Sequence, residues 1–312
     1  MTSRVVVLTG ASSGIGRAAA VAFARRGDRV VLAARSADDL TETALACGND
    51  ALVVPADVTI REDLEGLVGK AVERYGRIDV WVDTAAVMAY GKFEDLPPEV
   101  FDRVVTTDLL GPANVARAAL RRFRTQGHGT LVLVGSLLAH VTVPYMSAYV
   151  TSKWGLRGLT RTLRQETRDA PDIHVCSLVP GSVDTPIYTS AANYAGFVGR
   201  PPPPVDSAER MAARIVRLAA KPRREASVGA TNRVIELGFG LFPPLYDALV
   251  TTLIRKGGLS RQEIGPHDGN VFAARPRVDG GPGRWSRTQV GAAVGALTLA
   301  AGVSARRLLS GK

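Results

Sequence analysis

The segment Ser147-Ala-Tyr-Val-Thr-Ser-Lys-Trp-Gly155 sets a phenol, Tyr149, and an ammonium, Lys153, four residues apart. On a helix that spacing stacks both side chains on one face. A nearby ammonium favours phenolate over phenol, so the pair predicts a tyrosine depressed from its ordinary value near ~10. Such a group can exchange a proton with an alcohol oxygen at neutral pH. Thirteen residues upstream, Ser136 follows the apolar run 131–134, and its hydroxyl is placed to hydrogen-bond the reacting oxygen.

A second constellation lies at the amino end, Thr9-Gly-Ala-Ser-Ser-Gly-Ile-Gly16, directly after an apolar run and before an Ala-rich stretch. Glycines at 10, 14 and 16 let backbone amides approach a pyrophosphate, and a helix opening there offers unpaired N–H groups and the positive end of its dipole. Gly10, Ser12, Ser13, Gly14, Ile15 and Gly16 are therefore candidate cofactor ligands. The spacing is GxxxGxG, unlike the GxGxxG dinucleotide fingerprint. The next apolar run ends Val31-Leu32-Ala33-Ala34-Arg35, a cation where the 2′-hydroxyl of NAD calls for a carboxylate. Arg35, with Arg17 just past the last glycine, suits a 2′-phosphate, and NADP is the expected cofactor over NAD. Both arginines also read as solvated charges at helix ends. Asp57, with Val58 after it, can face an adenine amino group or cap the helix that starts near position 61.

Elements must bring these groups together. Continuous apolar runs at 5–8, 30–33, 52–54, 80–82, 131–134 and 175–179 read as strands buried on both faces. Amphipathic stretches alternate with them, among them 61–75 and 98–123. Strand and helix alternating in this way predict an α/β fold, a doubly wound parallel sheet whose ligands bind at the carboxyl edge. Residues 206–220 read as one more helix and 225–228 as a last strand. The main domain is expected to run from 1 to 240, with an apolar helical extension over 241–274. A Gly/Pro linker and a small-residue helix complete the chain over 275–312.

Together these motifs resemble the short-chain dehydrogenase/reductase family from about residue 4 to 240. The resemblance rests on Thr9 to Gly16, Asp57, Ser136, Tyr149, Lys153 and Pro180-Gly-Ser-Val-Asp-Thr-Pro186. It implies a Rossmann-like fold and NAD(P)-dependent hydride transfer between a carbonyl and an alcohol. Tyr149 would be the proton donor, Lys153 would lower its pKa and hold the nicotinamide ribose, and Ser136 would orient substrate. Pro180, Gly181, Val183 and Thr185 would lie against the nicotinamide amide, and Asp83 and Ala85 would also line the cofactor. A homodimer or homotetramer is the family expectation. Two positions depart from its pattern. Asp83-Thr-Ala-Ala86 stands where the family reads Asn-Asn-Ala-Gly, and Asp108 stands where it places a fourth catalytic residue, Asn. Aspartate cannot donate through an amide nitrogen and adds charge. Asp108 therefore either keeps a water relay to Lys153 with altered pH dependence or is bonded to backbone.

The variable lid is expected over 187–205, with Tyr188, Tyr194 and Phe197 opposite Met88, Tyr90, Leu138 and Tyr145. Few charges occur there, which predicts a hydrophobic carbonyl or secondary alcohol as the small-molecule substrate. The net charge of +10 is concentrated in 241–312, with 10 Lys/Arg against 4 Asp/Glu. Without a basic stripe interleaved with aromatics, this gives no nucleic-acid footprint. Cys47 and Cys176 lack metal-ligand spacing and read as small apolar residues of a reducing cytoplasm, with no metal expected. The stretch 290–303 is short of the ~20 residues that span a bilayer. It reads as a helix docked on protein, with weak peripheral membrane association as the alternative. A cofactor-binding sensor or scaffold of the same fold is the competing class, opposed by intact Ser136, Tyr149 and Lys153.

Overall fold

The apolar runs form one sheet. The computed structural model describes residues 3–48 and 50–274; the linker and small-residue helix expected in 275–312 lie outside the described residues. The strands are β1 (Val5–Thr9), β2 (Arg29–Ala33), β3 (Leu52–Val53), β4 (Val80–Asp83), β5 (Gly129–Val134), β6 (Ile173–Val179) and β7 (Glu225–Ser227). They lie in the order β7-β6-β5-β4-β1-β2-β3, and every pairing is parallel. The helices are α1 (Gly14–Ala24), α2 (Ala37–Cys47), α3 (Arg61–Tyr75), α4 (Pro98–Val105), α5 (Gly111–Gln126), α6 (Ser147–Glu166), α7 (Ala208–Ala220), α8 (Ala230–Leu241) and α9 (Pro243–Leu253).

Unbroken apolarity in the strands is explained by two cores. Successive side chains point to opposite faces of a sheet. Val6, Leu8, Val30 and Leu32 pack with Phe23 of α1, Leu40 of α2 and Ile215 of α7. Val5, Val7, Val31 and Trp81 pack on the other face with Leu67 of α3, Phe123 of α5 and Leu156 of α6. Burying each such side chain stabilises the fold by roughly 1.5–3 kcal/mol. Chain order reverses between β1 and β4, which are paired neighbours. Their carboxyl ends therefore open the crevice where ligands of such sheets bind.

Two stretches differ from the periodicity reading. The amphipathic run 98–123 is interrupted by a π-helical segment, Thr106–Leu110, between α4 and α5. α8 begins at Ala230, ahead of the boundary expected at 240, and the apolar segment after 240 folds as α9, separated from α8 at Phe242. Pro243 and Pro244 cannot continue a helix but suit the first turn of a new one. Trp154 of α6, Phe239 of α8 and Tyr246 of α9 form an aromatic chain that docks the extension. The strand Leu259–Glu263 then pairs antiparallel with Phe197–Gly199 of the lid. Cys47 and Cys176 are free thiols. Among the described residues no His/Cys/Asp/Glu group could hold a metal, and no helix is long and apolar enough to cross a membrane.

Candidate active site

The opening turns of α6 carry Tyr149 and Lys153, 8% and 2% exposed. The Lys153 Nζ lies 5.2 Å from the centre of the Tyr149 ring. Ser136 follows β5 and opens a short 3-10 turn, its Oγ accepting the Leu138 amide at 3.1 Å. The same hydroxyl favours the ionised form of the Tyr149 phenol. The neighbouring Leu137 amide donates to the Pro180 carbonyl at 2.8 Å, which ties this turn to the loop after β6.

Two carboxylates lie beneath them. Asp108, fully buried on the π-helical segment, accepts the Val87 amide on Oδ1 at 2.8 Å. Its Oδ2 is 3.4 Å from Lys153 Nζ, so acid and base pair directly. Asp108 is thus bonded to backbone through one oxygen, and through the other it faces Lys153 directly where a water relay is the expectation. Asp83 accepts from Thr9 Oγ1 at 2.7 Å and from the Ala85 amide at 3.3 Å. These partners are donors, so the position needs only acceptor oxygens and an aspartate serves. Burial pushes both carboxyls up to about 6, with Lys153 pulling each of them down. For Lys153, burial favours the neutral amine, but Asp108, Tyr149 and Asp83 outweigh it and raise the ammonium above its ordinary value. The Tyr149 phenol is held above its ordinary value by burial, against the pull of Lys153, with Asp108 adding to the rise. In the chain by itself desolvation exceeds what one cation returns; the expected depression counts on the positive charge of an oxidised nicotinamide ring as well as Lys153.

The nucleotide end is assembled at the same edge. Gly10 and Gly14 have φ of +76° and +50°. A Cβ on Gly16 would fall 2.2 Å from the Gly10 carbonyl oxygen, so no side chain fits where helix meets turn. Thr84 Oγ1 clasps this turn, donating to the Thr9 carbonyl at 2.8 Å. Ser13 precedes α1 with no side-chain cap, and the first turn, which runs through Ile15 and Gly16 to Arg17, holds no acid. Amides that lack a capping side chain, at a positive dipole end beside a side-chain-free turn, fit a pyrophosphate. Thr185, in the loop that begins at Pro180 and Gly181, has its Cγ2 3.1 Å from where a Gly14 Cβ would be. Val183 of that loop is buried in the core under α1.

On the adenosine side, Asp57 bonds the Thr59 amide and hydroxyl and pairs with Arg103 at 2.9 Å, while Val58 is buried beside it. Burial would raise the Asp57 carboxyl, but Thr59, Arg103 and Arg35 outweigh it and hold it below its ordinary value. Ile60, and not Asp57, occupies the cap position of α3. Arg35 donates to the carbonyls of Asn270 and Val271, which excludes the solvated reading of this residue.

On the opposite side, Leu138 and Tyr188 pack with Met88, Tyr90, Met146 and Tyr149 in one apolar cluster. Tyr145 stands outside it with a left-handed φ of 68°, its carbonyl accepting the Gly91 amide. Of the other lid aromatics, Tyr194 turns to Asp268 and Phe197 is exposed. Sequence reasoning missed Thr84, Arg103 and the segment around Asn270. Thr84 could have been found within Asp83-Thr-Ala-Ala86; the other two carry no local signal.

Residues 4–194 match the family model described as short chain dehydrogenase. The uncharacterized oxidoreductase YxnA of Bacillus subtilis is 33% identical over 264 residues, covering 81% of this chain and 73% of its own length. The sepiapterin reductase of Chlorobaculum tepidum is 33% identical over 194 residues, 59% of this chain and 79% of that protein. A solved structure, the alcohol dehydrogenase of Thermococcus sibiricus complexed with 5-hydroxy-NADP, superposes with a TM-score of 0.64 at 30% identity. It covers 73% of this chain and 96% of its own. The family-model match and these relatives show the family: the chain belongs to the short-chain dehydrogenase/reductase family, nicotinamide-dependent oxidoreductases of CH–OH and C=O groups.

Proposed function

We propose that this protein moves a hydride between NADP and the carbonyl or secondary alcohol of a hydrophobic small molecule. The observation that carries this reading is the buried Tyr149–Lys153–Ser136 arrangement bordering the apolar cluster of Met88, Tyr90, Leu138 and Tyr188. When bound, the nicotinamide supplies or accepts the hydride. Tyr149 gives its phenolic proton to the carbonyl oxygen in reduction and takes one from the hydroxyl in oxidation. The Ser136 hydroxyl donates to the same oxygen and stabilises the charge that develops there. The Lys153 ammonium opposes the burial that keeps Tyr149 protonated, and Asp108 and Asp83 keep that ammonium charged.

Amides from Ser12 to Gly16 would hold the pyrophosphate, Asp57 and Val58 the adenine, and Pro180, Gly181, Val183 and Thr185 the nicotinamide amide. Arg35 and Arg17 would take the 2′-phosphate, since no carboxylate ends β2. A homodimer or homotetramer in the cytoplasm is the proposed setting. A second reading, attachment to a membrane surface, is favoured by apolar side chains exposed along α8 and α9, such as Leu237, Leu241 and Phe242.

A panel of carbonyls assayed with NADPH and NADH tests the main reading. Lipophilic ketones and aldehydes are expected to turn over best with NADPH. Tyr149→Phe should lower kcat by roughly 10²–10⁴-fold, the usual contribution of a positioned acid, with NADPH binding unchanged. Preference for charged sugars or short hydroxy acids removes the hydrophobic substrate; turnover that survives Tyr149→Phe removes the mechanism.

A further inference from the structure

The cation at the end of β2 is occupied by the protein's own backbone. Arg35 Nη2 donates to the Asn270 carbonyl at 2.7 Å and Nη1 to the Val271 carbonyl at 3.3 Å. Two successive carbonyl oxygens against two Nη atoms give a guanidinium what a bidentate oxyanion gives it, a pair of acceptors facing the fork.

The segment that supplies them is a strap firmly laid across the lid. The Asn193 amide donates to the His267 carbonyl at 2.7 Å and the His267 amide to the Asn193 carbonyl at 3.0 Å. The Asn270 amide donates to the Ser190 carbonyl at 2.8 Å, and Tyr194 Oη bonds Asp268. Val271 is fully buried among Val87, Val100, Val104 and Ala148, the last adjoining Tyr149. Gly269 has φ of +56°, and a Cβ there would lie 2.3 Å from the Ser190 carbonyl oxygen, so the strap sits flush on the lid backbone. Residues 267–271 therefore connect the lid at 190–194 to the adenosine side at Arg35.

We propose that this strap is a latch that sets cofactor selectivity: the carbonyls of Asn270 and Val271 compete with a nucleotide 2′-phosphate for Arg35. The inference rests on the reading of Arg35 as the 2′-phosphate contact. A phosphate dianion that takes the same Nη pair cannot share it with two carbonyl oxygens, whose negative ends would face it at short range. Its arrival displaces the strap, and by linkage an opened strap raises affinity for the phosphorylated nucleotide. A nucleotide with a 2′-hydroxyl makes no such demand and leaves the latch closed. Because Ser190, Asn193 and Tyr194 hold the other end, the 2′-phosphate also loosens the lid beside the Tyr149 cluster.

Amide hydrogen exchange on the full chain tests this with two probes, adenosine 2′,5′-bisphosphate and adenosine 5′-monophosphate. The bisphosphate is expected to speed exchange at the amides of Asn193, His267 and Asn270, and the monophosphate to leave them unchanged. Gly269→Ala, which forces the strap off Ser190, and Val271→Asp, which unseats its anchor, should each tighten bisphosphate binding by about tenfold without altering monophosphate binding. If the bisphosphate binds more tightly than the monophosphate with exchange and variants unaffected, the latch is refuted and the NADP reading stands. If no chain, variants included, prefers the bisphosphate, the NADP reading fails and takes the latch with it. If only the variants prefer it, the strap masks Arg35 outright and the latch is upheld.

Discussion

Burial holds the Tyr149 phenol high, and the directly paired Lys153 and Asp108 pull it in opposite directions. Burial pushes the Asp108 carboxyl up to about 6, against the pull of Lys153. Above that value its charge holds Lys153 as ammonium and raises the Tyr149 phenol; below it that influence is lost. In Asp108→Asn the charge is absent at every pH, while the side-chain oxygen can still accept the Val87 amide. The phenol then titrates lower. The rising limb of alcohol oxidation, which needs phenolate, is expected to move to lower pH, and an inflection near 6 should disappear from kcat/KM. An unchanged pH profile takes Asp108 out of the chemistry. Tyr149, Lys153 and Ser136 were legible in the sequence because their relation is local, one helix turn and one strand end. The pairing of Asp108 with Lys153 was not, since it depends on a 3.4 Å approach between two helical segments. The position of Arg35 at a strand end was legible too, but its partners lie 235 and 236 residues away, beyond any pattern of spacing.

Elements deliver those residues, and α6 does so on two faces. One face turns Tyr149 and Lys153 toward the sheet edge; another presents Trp154 to Phe239, which in turn meets Tyr246 edge-on at 5.1 Å. Phe239 thus links the catalytic helix to the extension, aided by His140, which lies 3.5 Å from Glu236 of α8. Phe239→Ala should lower stability by roughly 2 kcal/mol, the worth of one half-buried aromatic and its ring contacts. Amide exchange in α8 and α9 should rise while the glycine turn at 10–16 stays protected; unaltered exchange in α8 would show that the aromatic chain does not hold the extension. Periodicity located α3, and residues 206–220 gave α7 within two positions, because an amphipathic stripe is visible wherever one face is buried. It missed the π-helical segment at 106–110, which keeps nearly the same apolar spacing and carries no proline or glycine of its own. The break of α8 from α9 was missed as well, although Pro243-Pro244 marked it.

For the molecule as a whole, the sheet and the helices on its two faces hold the two main cores, whereas α9 buries none of its residues. Val234, Leu237 and Leu241 of α8 and Leu245, Leu249 and Leu253 of α9 recur at intervals of three and four within each helix and are 40–66% exposed. Apolar faces turned to water on two successive helices are uncommon on a soluble domain and are the pattern of helices that lie in a membrane interface. Arg255 and Lys256 follow α9 directly, within the part of the chain that holds most of the excess positive charge. The two features predict a definite dependence. The protein should sediment with vesicles containing anionic phospholipid and less with neutral ones, and raising salt should reverse only the charge-driven share. Leu237→Glu combined with Leu241→Glu should abolish binding at any salt while leaving turnover of a water-soluble carbonyl intact, because neither residue touches the Tyr149 cluster. Retention of the double variant on vesicles would transfer the interaction to charge alone, and a wild-type protein that stays in the supernatant would remove the membrane surface as the partner of this face.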